Sequence, residues 1–178
     1  MKNLIDHLSQ YASYHRDTRN IVSHFLGIPL IVLAVAVLLS LPGIVVAGFR
    51  LSPAALAVLA STMFYLRLDL AFGVLMAGLL GLCLWAGALL AQQPVMVWLS
   101  TGLGLFIVGW VIQFVGHYYE GRKPAFIDDV TGLIIGPLFV VAELAFLLGM
   151  RKGLQHEIEK RVGVTRRRDM KTAVRSRT

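Results

Sequence analysis

Five histidines punctuate a chain of 178 residues, and three of them, His15, His24 and His117, stand among other polar residues at helical spacing. Asn20 and His24 are four apart, and Gln113, His117 and Glu120 follow one another at steps of four and three, so each set shares one helix face. Strongly polar groups bordering hydrocarbon are costly and normally have a partner or a function. Three imidazoles suit a divalent metal such as Fe(II), Zn(II) or Mn(II), with positions left for water or substrate. Glu120 or Asp128 offers a fourth ligand or a support behind one. The competing reading makes each histidine an interfacial, hydrogen-bonding side chain, and His7 and His156 are assigned to it. Cys83 is the lone cysteine and lies in an apolar run, which points to packing instead of thiolate or disulfide chemistry.

The elements that must position these residues belong to a membrane protein. Hydrophobic residues make up 57% of the chain and charged residues 15%, far from the composition of soluble domains, and apolar runs of about 20 residues recur, the length a bilayer demands. The expected fold is all-α: an integral membrane helical bundle with four to five membrane segments and an N-terminal surface helix. Leu4, Ile5, Leu8, Tyr11 and Ala12 mark that surface helix. A first span covers about 21–41, a helical hairpin 53–66 and 70–91, and a fourth span 98–119. Four crossings return the chain to its starting face, so the two polar groups can meet. The last apolar segment, 130–150, holds Gly136-Pro137 and Glu143 and reads as kinked or re-entrant. Glu143 itself reads as a protonated acid bonded to a neighbouring helix in preference to part of a polar cavity. Gly73, Gly78, Gly81 and Gly87 read as points of close helix contact.

The net charge of +7 comes largely from the end of the chain, because ten of the seventeen Lys and Arg lie beyond Met150. Residues 1–150 therefore read as one catalytic membrane domain, and 151–178 as a solvated basic cytoplasmic tail drawn to anionic lipid. No aromatic platform accompanies the charge, so nucleic acid is not an expected partner. Lys2, Arg16, Arg19, Arg67, Arg122 and Lys123 fall on the face of the histidines and Arg50 on the other, which predicts a cytoplasmic site.

The run Tyr14-His15 to Asn20, then His24 with Gly27 and Pro29, together with Gly109-Trp110, Gln113-Phe114, Gly116-His117, Glu120 and Lys123-Pro124-Ala125, resembles the membrane 2-hydroxy fatty acid dioxygenase family. The likeness extends to about Met150. It implies Fe(II)-dependent α-oxidation, in which a long-chain 2-hydroxy fatty acid and O2 give the acid one carbon shorter, with His15, His24 and His117 as the catalytic metal ligands. Such a substrate can chelate iron through its carboxylate and hydroxyl while its alkyl chain lies between helices. Arg122 or Lys123 is then a candidate partner for the carboxylate, and Asn20, Gln113, Glu120 and Asp128 are candidate supporting or substrate-contacting residues. Neither haem nor flavin is expected. The expected setting is a multi-pass protein among membrane lipids, in the inner membrane of a bacterium or the endoplasmic reticulum of a eukaryote. A zinc-dependent membrane hydrolase at the same triple, and a non-enzymatic lipid-binding scaffold or transporter, are the alternatives, separable by metal analysis and histidine substitution.

Overall fold

A computed structural model describes residues 2–46 and 49–169. The end of the basic tail, 170–178, lies outside the described residues. The chain folds into two compact units, residues 1–26 with 111–178, and residues 27–110.

The first unit opens with helix α1, Leu4–Ala12, started by a reciprocal cap in which Asn3 and Asp6 each accept the other's backbone N–H at 2.9 Å. Leu4, Leu8, Tyr11 and Ala12 of its apolar face are buried against protein, with Ile5 half-buried; α6, Thr131–Leu147, and α7, Lys152–Val162, fill the side that the periodicity alone suggests would meet a membrane surface. Helix α2, Thr18–Leu38, begins in this unit and continues into the second.

The second unit contains a ribbon of two short antiparallel strands, β1, Ile44–Val46, and β2, Phe49–Leu51, which periodicity did not signal. After it come α3, Pro53–Leu68, and α4, Leu70–Leu90, packed as the expected hairpin. Asp69 makes their junction: it ends α3 and accepts the Phe72 N–H at 3.0 Å to cap α4. A Cβ at Gly73 would meet the Leu66 backbone at 2.6 Å, and one at Gly87 the Ser40 hydroxyl at 2.6 Å, whereas Gly78 and Gly81 face open space, so only two of those four glycines serve close contact. The indole of Trp98, on α5, Val95–Glu120, donates to the Val37 carbonyl at 2.7 Å. The last turns of α5 return to the first unit.

Among the described residues, α2, α4 and α5 are long and apolar enough to cross a membrane. The 16-residue α3 spans about 24 Å at 1.5 Å per residue, somewhat short of the roughly 30 Å hydrocarbon layer. Little of the apolar surface of these helices is covered: only 11% of the most apolar window of α5 is buried, which fits a surface facing lipid and not water. This is an all-α membrane bundle.

Two expectations need correction. Helix α6 runs through Gly136-Pro137 without a break, and the turn comes later, at Gly149 (φ 74°) and Arg151 (φ 55°), where α7 leaves at 114° to α6. Gly149 is the helix stop, since glycine takes the left-handed conformation without strain. Residues 152–169 also differ from a solvated tail. Ile158 of α7 is buried, Arg161 pairs with Asp6 at 2.8 Å, and 163–168 continue as extended chain along residues 16–19.

Candidate metal centre

His24 and His117 sit on helices, on the second turn of α2 and the last turn of α5. Close approach of the two helices requires Gly116: a Cβ there would collide with the Ser23 hydroxyl and lie 2.6 Å from Asn20 Oδ1. His15 lies on neither, but in the turn between α1 and α2, where its backbone N–H donates to the Ala12 carbonyl at 2.9 Å.

The three imidazoles are buried, with exposures of 0%, 2% and 7% for His15, His24 and His117. Their ring centroids are 4.4 to 5.1 Å apart, and one nitrogen from each lies within 4.8 Å of the others. Two of the rings have their tautomers fixed from outside. His15 Nδ1 stands 2.7 Å from the Tyr11 carbonyl and His24 Nδ1 2.8 Å from the Asn20 carbonyl. A carbonyl only accepts, so both Nδ1 atoms carry the proton and both Nε2 atoms keep a lone pair. His15 Nε2 and His117 Nδ1 are buried without a hydrogen-bond partner. Burial, followed by the adjacent His24 ring, holds the His15 imidazole well below its ordinary range, so it stays a neutral potential ligand. Tyr11 stacks on His15 at 4.2 Å and Phe139 packs 4.9 Å from Tyr11, which closes that side with apolar rings.

Unpartnered nitrogens converging in a buried site are the donor set a borderline divalent cation takes, and lone pairs left without one would be costly. The residues present therefore fit a metal.

The remaining candidates divide. Asn20 and Gln113 are buried beside the triad on their helices, each with a side-chain oxygen lacking a partner. Glu120 is buried but turned to the backbone: its Oε2 accepts from Arg16 N at 2.9 Å, Asp17 N at 2.7 Å and Asn20 Nδ2 at 3.1 Å. It ties the start of α2 to the end of α5 and has no free valence for a metal on that oxygen. Arg122 donates to the Ser13 carbonyl at 2.7 Å. Lys123 and Asp128 form an exposed pair at 2.6 Å, with Tyr14 Oη donating to Asp128 at 2.9 Å. The Lys123 and Asp128 side chains brace the turn from outside, and Arg122 meets the triad only through its backbone, which is hydrogen-bonded to the His117 side chain.

Sequence reasoning missed Arg16. Its guanidinium donates to the carbonyls of Ala12, His15 and Gly163 and pairs with Glu143 at 3.5 Å. Glu143 thus contacts the Arg16 guanidinium on the wall of a cavity of about 300 Å³, lined also by Ile21, Phe25, Phe146 and Ile158, where the sequence favoured a bond to a neighbouring helix over a place in a polar cavity. Glu159 lines the same cavity, so two carboxylates face one guanidinium there. Nothing local in the sequence pairs residues 16 and 143.

Comparison with known proteins gives two matches. A family model described as 2-hydroxy-palmitic acid dioxygenase Mpo1-like matches residues 1–148. The 2-hydroxy-palmitic acid dioxygenase MPO1 of Saccharomyces cerevisiae is 36% identical over 167 residues, covering 89% of this chain and 92% of the yeast protein. No solved structure matches the chain.

Proposed function

The chain belongs to the Mpo1-like family, and from that premise we propose that it is an Fe(II)-dependent dioxygenase converting long-chain 2-hydroxy fatty acids to acids one carbon shorter. One observation carries the reading: three buried imidazoles converge, and His15 Nε2 and His117 Nδ1 have no hydrogen-bond partner in the protein. His15, His24 and His117 would hold the iron, which when bound supplies a Lewis acid and the electrons that activate O2. The overall reaction balances with no outside reductant when C1 leaves as carbon dioxide together with one water.

The chain's own residues do the rest. The Tyr11 and Asn20 carbonyls orient two of the rings, as supports behind metal ligands do. Tyr11 and Phe139 keep water from His15. Gln113, one turn before His117, presents a buried amide oxygen to accept the hydrogen of the 2-hydroxyl. The Arg16 guanidinium is already engaged by the Ala12, His15 and Gly163 carbonyls and by Glu143, and so is a poor seat for the substrate carboxylate. The setting is a multi-pass membrane protein, where substrate is dissolved in lipid.

Anaerobic purification, iron analysis and turnover of a 2-hydroxy acid test the reading. Iron at one per chain, O2 uptake and a product one carbon shorter are expected. A His15→Ala, His24→Ala, His117→Ala triple variant that keeps stoichiometric iron would falsify the ligand set, and zinc with no O2 uptake would favour hydrolysis.

A further inference from the structure

The family model ends at residue 148, yet residues 163–168 lie against the chain that follows His15 and against the end of α5. Arg166 N–H donates to the Arg16 carbonyl at 3.0 Å, in a parallel bridge between Asp17 and Arg166. Arg168 N–H donates to Asp17 Oδ2 at 2.8 Å, and the Arg168 carbonyl accepts from Arg19 Nη2 at 2.9 Å. Arg16 Nη1 donates to the Gly163 carbonyl at 3.0 Å. The Arg168 guanidinium then crosses to the Glu120 carbonyl. It lies over Gly121, whose φ of +68° ends α5 and whose missing Cβ leaves the guanidinium its room.

Arg16 and Asp17 follow His15 directly, and Glu120 comes one turn after His117. One extended segment thus holds from outside the two backbones that the Glu120 carboxylate joins from inside. The need for it is physical. His24 and His117 ride on helices whose approach Gly116 sets, but His15 stands between Ala12, where α1 ends, and Thr18, where α2 begins. Its bonds to the Ala12 and Tyr11 carbonyls tie it to the end of α1, and the position of that turn against α2 and α5 is left to tertiary contacts.

The geometry points to residues 163–168 as a clasp, with Arg168 its positioning residue, that pins the His15 turn to the end of α5 and so sets the spacing of His15 from His24 and His117. This inference rests on the metal reading above. It gives part of the basic tail a task at the site and not only at a lipid surface.

The test uses the full chain with Arg168→Ala, Arg166→Pro, which withdraws the donor to Arg16, and both together. Hydrogen exchange over residues 13–20 of the metal-free protein reads the clasp itself, and a Co(II) titration followed by visible absorption reads its effect on the site. The double variant should exchange faster at 13–20 with exchange over 70–90 unchanged, and should bind Co(II) roughly 10- to 100-fold more weakly, the usual effect of losing support behind metal ligands. Arg168→Lys should restore part of the affinity. Gly87→Ala, which crowds Ser40 in the other unit, should alter neither readout; if it matched the double variant, the effect would be general loosening and the clasp would fall. Unchanged exchange at 13–20, or faster exchange with wild-type Co(II) affinity, also overturns it. If the unaltered chain bound no Co(II), the metal reading would fail, while faster exchange in the double variant would still establish the clasp.

Discussion

Glu120 shows how one side chain can matter to a candidate metal centre without being one of its ligands. A single carboxylate oxygen takes three buried or part-buried N–H donors, two of them backbone groups just before α2. Each donor stripped of its acceptor costs about 1–3 kcal/mol, so Glu120→Ala should lower the melting temperature well below that of Glu120→Gln, which keeps an acceptor in place. Equal melting of the two in detergent would mean that the charge alone matters. Gln113 makes the contrasting case. Gln113→Leu removes a buried polar group without leaving a protein donor stranded, and should raise the KM for a 2-hydroxy acid while leaving iron content near wild type; loss of iron would place Gln113 among the supports of the metal instead.

Helix approach is set by single glycines, and this gives a sharp comparison. A Cβ at Gly116 meets Ser23 and Asn20, whereas one at Gly78 meets nothing. Gly116→Ala should therefore push α2 from α5, cost about 1–3 kcal/mol of overpacking and weaken metal binding, and Gly78→Ala should be neutral or slightly stabilising; equal metal content in both variants would refute the role of that contact. The docking of α7 on α1 should respond to acid. The Arg161 guanidinium, then the Asn3 backbone N–H, hold the Asp6 carboxyl below its ordinary range. A carboxyl depressed on folding stabilises the docked state above its unfolded pKa, near 3.9, and that contribution is lost as pH falls through the lower folded value. Exchange over 152–162 should rise in that acid range in the wild type and vary less in Asp6→Asn. Parallel profiles would show the pair to be inert, as many exposed pairs are. The elements differ in how far the sequence announced them. The α3–α4 hairpin, the spans and the face shared by Gln113, His117 and Glu120 follow from periodicity, which is local. Proline at 137 looked like the break in the last segment, but the stop lay at Gly149: Pro137 sits between buried Gly136 and Leu138, where the packing of α6 offsets the hydrogen bond the proline removes. Arg16 with Glu143, and Arg168 with Glu120, are long-range pairs, and no local pattern encodes them.

For the molecule as a whole, the contact of α7 with α1 bears on topology. Arg161 reaches Asp6 directly, so the two ends of the first unit share one membrane face. The 114° bend after α6 supports a segment that turns back. Cysteines at Asn3 and Gly153, in a Cys83→Ser background, should be labelled from the cytoplasmic side and one at Gln93 from the other; labelling of 3 and 153 from opposite sides would require α6 to cross. The clasp has a further consequence, in the order of events during synthesis. Its bonds join residues 151 apart in sequence, and His117, the last of the triad, has been made some 50 residues before Arg168 is added. At about 5–20 residues per second, translation holds all three histidines for several seconds in a chain whose His15 turn has no outer support. On the proposed reading, metal acquisition would then belong to the finished chain, and a message truncated shortly after His117 would yield a protein with all three candidate ligands and no settled site.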